Sequence, residues 1–424
     1  MNRNLLSVGP VSSASGGKKI VGYYDSLFVF YFTSTSFLSP ISTDELTSAM
    51  LIIDRTAQQY TPSQIPVENL THLIYRSARV KAATGDIVLG DLYLDTEAFM
   101  DDTTHLSTRE EDRLILGDGE QLNGILGSLY LLKKRNRNLK VLMSIGSPVG
   151  QDSWDIALGA LTHLQTAKGL RMLLLELHRG FLRLAVSKRQ PDFRYLLCVA
   201  IPCDRIQLSF VDLIAFECPA LDFWNLKAFD WLFPTTERTE HQARLRGYSA
   251  FMFGIEEVVQ SLKNFSIPAN KIILGIPLHG LAFRSTWGLG YPFSSCVKVD
   301  YKLLPLDGAV VIHDDTLVAS WSYDKSKREL ISYDTPENAA KKAEYINRLS
   351  LGGAMFWDLH KDKTLSELSL VRVVKEILGD LEFHPNSLRF RQTEYRSSAS
   401  IAKLIGMMLC YYYRKSAHEA GRAC

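Results

Sequence analysis

Long apolar runs are missing from this sequence. No stretch reaches the ~18 apolar residues that a membrane span needs. The nearest approach, "IAKLIGMMLCYYYRK" (401–415), is short and broken by Lys403, and reads as a terminal helix or an unpacked extension. The opening "MNRNLLSVGPVSSASGGKKIVGYY" also lacks the apolar stretch of about 7–15 residues that marks a signal peptide, so the chain as it stands reads as cytoplasmic. Charge of one sign is missing too. The formal net charge of +2 excludes strong attraction to nucleic acid or to acidic membranes. Cysteine is scarce and scattered, at 198, 203, 218, 296, 410 and 424. That spacing fits neither a metal site nor a disulfide framework, so buried thiols are expected and no metal or other cofactor.

What is present is ordinary globular material, 46% hydrophobic and 22% charged. A chain of 424 residues suits one large α/β domain with an insertion, or two to three smaller domains. Strand-like runs alternate with helical periodicity. "KIVGYYDS" (19–26), "LTHLIY" (70–75), the run at 140–146, "FRYLLCVAIP" (193–202), "SFVDLIAFE" (209–217), "KIILGIPLHG" (271–280) and "GGAMFWDL" (352–359) read as strands. Between them lie one helical stripe of Leu122, Ile125, Leu126, Leu129 and Leu132, and another of Leu170, Leu173, Leu174, Leu177, Phe181 and Leu184. Further helices are expected around Ile255 to Leu262 and over 367–378. Apolar strands alternating with amphipathic helices predict a parallel sheet covered by helices.

Two stretches depart from this rhythm. Over 283–351 the pattern turns antiparallel, with a hairpin around Asp324 to Lys327. A helix then opens near Pro336, a favoured first-turn residue. This predicts an α+β insertion before the last strand. Residues 27–59 place a long, irregular apolar block after the first strand, where compact domains keep connections short. The expected organisation is a disordered 1–18, a first barrel part over 19–282, the insertion over 283–351, a last strand and helix over 352–385, and a tail over 386–424.

"KIVGYYDS", "YTPSQIPVENLTHLIY", "LYLLKKRNRNLKVLMSIG", "IPANKIILGIPLHG", "ASWSYDKSKRELISYDTPENAAKKAEYI" and "LSLGGAMFWDLHKDKTLSELSLV" resemble, in that order, the family-18 glycoside hydrolases, fungal chitinases in particular. The resemblance spans most of 19–380. It implies a TIM-type (β/α)8 barrel, an α+β insertion before the last strand, and chitin or chitooligosaccharide as partner of a monomer. It also implies substrate-assisted chemistry, in which the N-acetyl oxygen attacks the anomeric carbon. A fourth-strand motif Asp-Gly-x-Asp-x-Asp-x-Glu supplies the general acid.

That motif is absent from the sequence. Between "SIG" (144–146) and the helix beginning "QTAKGLRMLLLELHR" (165–179) stand only the 18 residues "SPVGQDSWDIALGALTHL". A strand–helix unit takes about 30. No Glu lies among these residues, and Asp152 and Asp155 are the only acids. The expected barrel is therefore incomplete, with the strand 4 region deleted, and no catalytic residue is assigned. An insertion at 27–59 together with an excision at 147–164 is what a misread exon structure or a decaying gene would leave.

Other family positions are altered. Gly-Gly-Trp reads Gly146-Ser147-Pro148, Tyr-Ala-Phe reads Tyr75-Arg76-Ser77, and Tyr-Gly-Arg reads His279-Gly280-Leu281. The sixth-strand Met-x-Tyr-Asp is placed on "FECPALDFW", with Glu217, Pro219 and Ala220 at its named positions, which removes both phenol and carboxylate. Glu217 is the remaining acid that could act from elsewhere. Two positions are kept: Trp357 matches the tryptophan under the reacting sugar, and Tyr23 matches a first-strand tyrosine beside it. A flat indole suits the apolar face of a pyranose. These readings leave three functions: a non-hydrolysing chitooligosaccharide binder, an active endo-chitinase with a displaced acid, and a product with no stable fold.

Overall fold

The computed structural model describes residues 17–25, 60–80, 87–89, 91–97, 124–145, 164–203, 208, 211, 221–231, 236–247, 254–364 and 366–388. Seven parallel strands form the centre: β1 (Lys19–Asp25), β2 (His72–Val80), β4 (Lys140–Ile145), β5 (Cys198–Pro202), β6 (Phe223–Lys227), β7 (Ile272–Pro277) and β13 (Gly353–Trp357). Their spatial order is β4-β2-β1-β13-β7-β6-β5, and the short β3 (Ile87–Leu89) pairs antiparallel with β2. First and last strands lie side by side, with Lys19 opposite Gly353 and Gly22 opposite Phe356. Among the described residues no strand joins the outer edges of β4 and β5, so the parallel sheet is an open part of a barrel.

The two faces of the curved sheet explain its composition. Val21, Tyr23, Ile74, Phe223, Ile273 and Met355 share an inner cluster. Alternate residues, among them Ile20, Leu73, Leu226, Leu274 and Phe356, face the larger outer core with the helices. Burial on both faces makes the strands near-continuous apolar runs, each such side chain contributing about 1.5–3 kcal/mol. The helices covering this sheet are α1 (Leu92–Thr96), α2 (Gly124–Arg135), α3 (Leu164–Ser187), α4 (Ile255–Asn264), α5 (Pro336–Arg348) and α6 (Leu370–Leu378). The two leucine stripes fall on α2 and α3, with Ile125, Leu129, Leu132, Leu170, Leu173 and Leu174 in the core. None of these helices is long and apolar enough to cross a membrane, among the described residues.

β13 meets β1 under a backbone constraint that only glycine satisfies. Gly353 has φ +150, and a Cβ there would lie 1.8 Å from the Lys19 carbonyl oxygen. At the same end the chain is fastened after α6. Lys18 N–H donates to the Asp380 carbonyl, and Glu382 pairs with Lys19 and Lys140 at 2.6 and 3.5 Å. The Asn386 amide donates to the carbonyls of Lys133, Asn136 and Leu139, closing the C-terminus of α2. Most of the tail beyond it, the nearest approach to an apolar span included, lies outside the described residues, as do 1–16 and 27–59.

Between β7 and β13 stands a five-stranded antiparallel sheet of β8 (His279–Arg284), β9 (Ser295–Asp300), β10 (Val310–Asp314), β11 (Ala319–Asp324) and β12 (Glu329–Ser332), in the order β10-β11-β12-β8-β9. The hairpin read around Asp324 to Lys327 joins β11 to β12. Asp324 Oδ1 accepts from the Ser326 and Lys327 backbone N–H groups. The sheet starts at His279, one residue after β7 ends, earlier than the composition change at 283.

One strand is not where the sequence suggested. Val211, inside the run "SFVDLIAFE", is helical, and the sixth parallel strand is Phe223–Lys227. A strand buried on both faces normally excludes polar residues. The inward Asn225 and Lys227 break up "DFWNLKAFD", so a more apolar neighbour drew the reading.

Candidate functional site at the open end of the parallel sheet

Strand periodicity assembles the site. Side chains two apart share a face, so Tyr23 on β1, Asn225 and Lys227 on β6, and Trp357 on β13 all point into the curved sheet. Trp357 and Lys227 are the last residues of their strands, and Trp357 packs on the inner cluster. In parallel barrels the C-terminal ends of the strands are where ligands meet the chain.

Tyr23 and Trp357 are brought together, their ring centroids 4.4 Å apart and tilted by 39°. Tyr23 is buried, whereas Trp357 is half-buried. The Asn225 Nδ2 amide donates to the Tyr23 hydroxyl at 3.1 Å, fixing the phenol from the opposite strand. Asn225 itself is fully buried, and its Oδ1 meets no hydrogen-bond donor among the described residues. The Lys227 ammonium stands 4.5 Å from the centroid of the Trp357 ring, within cation–π range.

The loop after β6 adds a charged cluster. Phe229 fills the inner cluster, and Asp230 follows with φ +61. His279 Nε2 donates to Asp230 Oδ1 at 2.7 Å, and Lys298 Nζ donates to Oδ2 at 2.5 Å. Burial alone would raise the Asp230 pKa, but His279 and Lys298 together outweigh it and hold the carboxyl well below its usual range. Burial pushes the fully enclosed His279 the other way, below the ordinary imidazole value, against the pull of Asp230. Beyond Trp357, Lys361 Nζ donates to Asp358 Oδ2 at 2.9 Å. Among the described residues no group of three or more His, Cys, Asp or Glu could hold a metal ion.

These positions change one sequence assignment. With β6 at Phe223–Lys227, the pattern Met-x-Tyr-Asp falls on Lys227-Ala228-Phe229-Asp230, not on Glu217, Pro219 and Ala220. The phenol is lost but the carboxylate is retained as Asp230. The signal was legible in "AFD", an aromatic–acid pair ending a strand, and was masked by the lysine in place of methionine. His279, at the Tyr-Gly-Arg position, faces Asp230. Tyr75, of Tyr-Ala-Phe, lies in the outer core, where its hydroxyl donates to Asp95. Asp152, Asp155 and Glu217 lie outside the described residues.

Comparison with known proteins agrees with this architecture. The profile of "Glycosyl hydrolases family 18" matches residues 165–362. The chain is 30% identical over 380 residues to Chitinase 1 of Aphanocladium album, covering 80% of this chain and 86% of that protein. It is 28% identical over 377 residues to Endochitinase 1 of Metarhizium robertsii, with the same coverage, 80% and 86%. Among solved structures, the catalytic domain of psychrophilic chitinase B from Arthrobacter TAD20 superposes with a TM-score of 0.65 at 16% identity, over 88% of this chain and 99% of that one. The GH18 chitinase of Cycas revoluta, in complex with (GlcNAc)3, gives 0.60 at 17% identity, over 85% and 100%. At such identities the structural likeness speaks for the fold alone. The sequence relationship to the fungal proteins, over most of both chains and through the aromatic pair at the open end of the sheet, establishes that this chain belongs to glycosyl hydrolases family 18.

Proposed function

We propose that this protein holds chitooligosaccharide against Trp357 and Tyr23 and does not hydrolyse it. The observation that carries the reading is the 18-residue stretch 147–164, which contains no glutamate. It stands where the family places the strand and motif that protonate the leaving sugar. A positioned general acid contributes typically about 10²–10⁴-fold, and losing the groups that orient the acetamide with it removes most of the differential binding of the transition state. In support, β4 and β5 have no further strand beside them among the described residues, as expected for a barrel without its fourth strand. The paired rings of Tyr23 and Trp357 supply the flat apolar surface that a pyranose stacks on, and the Cycas revoluta neighbour carries (GlcNAc)3.

The alternative, an active endo-chitinase with a displaced acid, draws on the names of its relatives. It requires a carboxyl that keeps a proton near neutral pH. Asp230 does not supply one, because His279 and Lys298 keep it ionised. Incubation of the purified full chain with chromogenic chitobiose and chitotriose conjugates tests the proposal. The expected result is no release of chromophore, with calorimetric binding of chitotriose that Trp357→Ala abolishes. Turnover above the buffer rate would overturn it.

A further inference from the structure

Lys227 changes what the aromatic floor can recognise. It takes the place of the family's methionine at the last position of β6, two residues beyond the inward Asn225. Its backbone is fixed by pairing with Pro202 on β5 and by the Cys203 thiol, which donates to the Lys227 carbonyl at 3.1 Å. The side chain runs to the indole of Trp357, placing the ammonium 4.5 Å from the ring centroid. The described carboxylates of the neighbouring loops are each engaged by another cation: Asp230 by Lys298, with neutral His279 on its other oxygen, and Asp358 by Lys361. Three ammonium groups therefore meet two carboxylates at this rim, and the surplus positive charge lies beside Trp357.

A neutral sugar gains nothing from that charge. To stack on the indole face it must displace the ammonium and forfeit the cation–π contact. A sugar bearing a carboxylate keeps the ammonium in place and accepts a charge-assisted hydrogen bond from it, a stronger contact than a neutral one. Resting on the reading of Trp357 as a sugar floor, we infer that Lys227 is a specificity-determining residue that makes this site prefer an acidic saccharide, a pyranose carrying a carboxylate, over neutral chitooligosaccharide.

Isothermal titration calorimetry of the full chain tests this with two tetrasaccharides of similar size: chitotetraose, and a β-linked tetramer alternating glucuronate with N-acetylglucosamine. The acidic tetramer is expected to bind at least about tenfold more tightly at low salt, as one charge-assisted contact allows, and to weaken as salt rises. Lys227→Met should erase the preference and its salt dependence, and Lys227→Arg should keep both. Unchanged melting midpoints show that the variants fold. Equal preference in the wild type and Lys227→Met would overturn the inference while leaving the sugar floor standing. Failure of both tetramers to bind, or binding indifferent to Trp357→Ala, would overturn the floor and the inference together.

Discussion

Replacing Lys342 by methionine should destabilise this protein severely, and more at pH 8 than at pH 5. Lys342 lies on α5, fully buried, and donates to Asp334 Oδ2, a carboxylate only 3% exposed. Burial raises the Asp334 pKa from its usual 3.8 and lowers that of Lys342 from 10.5, each opposed by the partner's charge. Methionine fills the space of the lysine stem but leaves the carboxylate without its cation. Breaking a buried pair in this way costs about 3–5 kcal/mol, a large share of a typical total stability of about 5–15 kcal/mol. The pH dependence follows from linkage. In the variant the folded-state pKa of Asp334 rises further above its unfolded value, so the folded chain binds a proton that the unfolded chain does not. Stability then falls by about 1.4 kcal/mol for each pH unit between the unfolded and the raised folded pKa, and is level above the latter. Urea melts of wild type, Lys342→Met and Lys342→Met/Asp334→Leu at pH 5 and pH 8 measure this. The double variant should recover most of the loss, because an apolar pair replaces a buried ionic one at little cost. A Lys342→Met penalty below about 1 kcal/mol, or one independent of pH, would refute the argument.

Two other perturbations have definite outcomes. Gly353→Ala forces a Cβ to within 1.8 Å of the Lys19 carbonyl at φ +150. It should cost more than about 1 kcal/mol, seen as a lower melting midpoint or loss of soluble protein. His72 is fully enclosed, and burial lowers its pKa from 6.5 to about 3. Its folded form therefore resists a proton that the unfolded chain accepts, and stability is lost as pH falls from about 6.5 towards 3. In His72→Phe the acid limb of the stability–pH curve should be shallower over that window, and an unchanged limb would count against burial as the cause.

Much of the fold was legible because a strand buried on both faces announces itself. β1, β2, β4, β7 and β13 and the stripes of α2 and α3 come directly from apolar pattern. β6 was not, because the residues that make it interesting are the ones that spoil the pattern: Asn225 reaches for Tyr23 and Lys227 for Trp357. The same displacement hid Asp230. The pairing of Tyr23 with Trp357 followed from family resemblance alone, since no spacing rule links residues more than three hundred positions apart. The interplay of His279 and Lys298 with Asp230 was beyond the sequence for the same reason.

That interplay has a mechanical consequence. Asp230 belongs to the loop after β6, while His279 and Lys298 lie on β8 and β9, so one carboxylate rivets the antiparallel sheet to the parallel one at the rim of the sugar floor. A hinge there would have to strand an ionised oxygen pair away from both donors. The antiparallel sheet thus travels with the floor as a single wall, and any ligand entering between them meets a cleft of preset width.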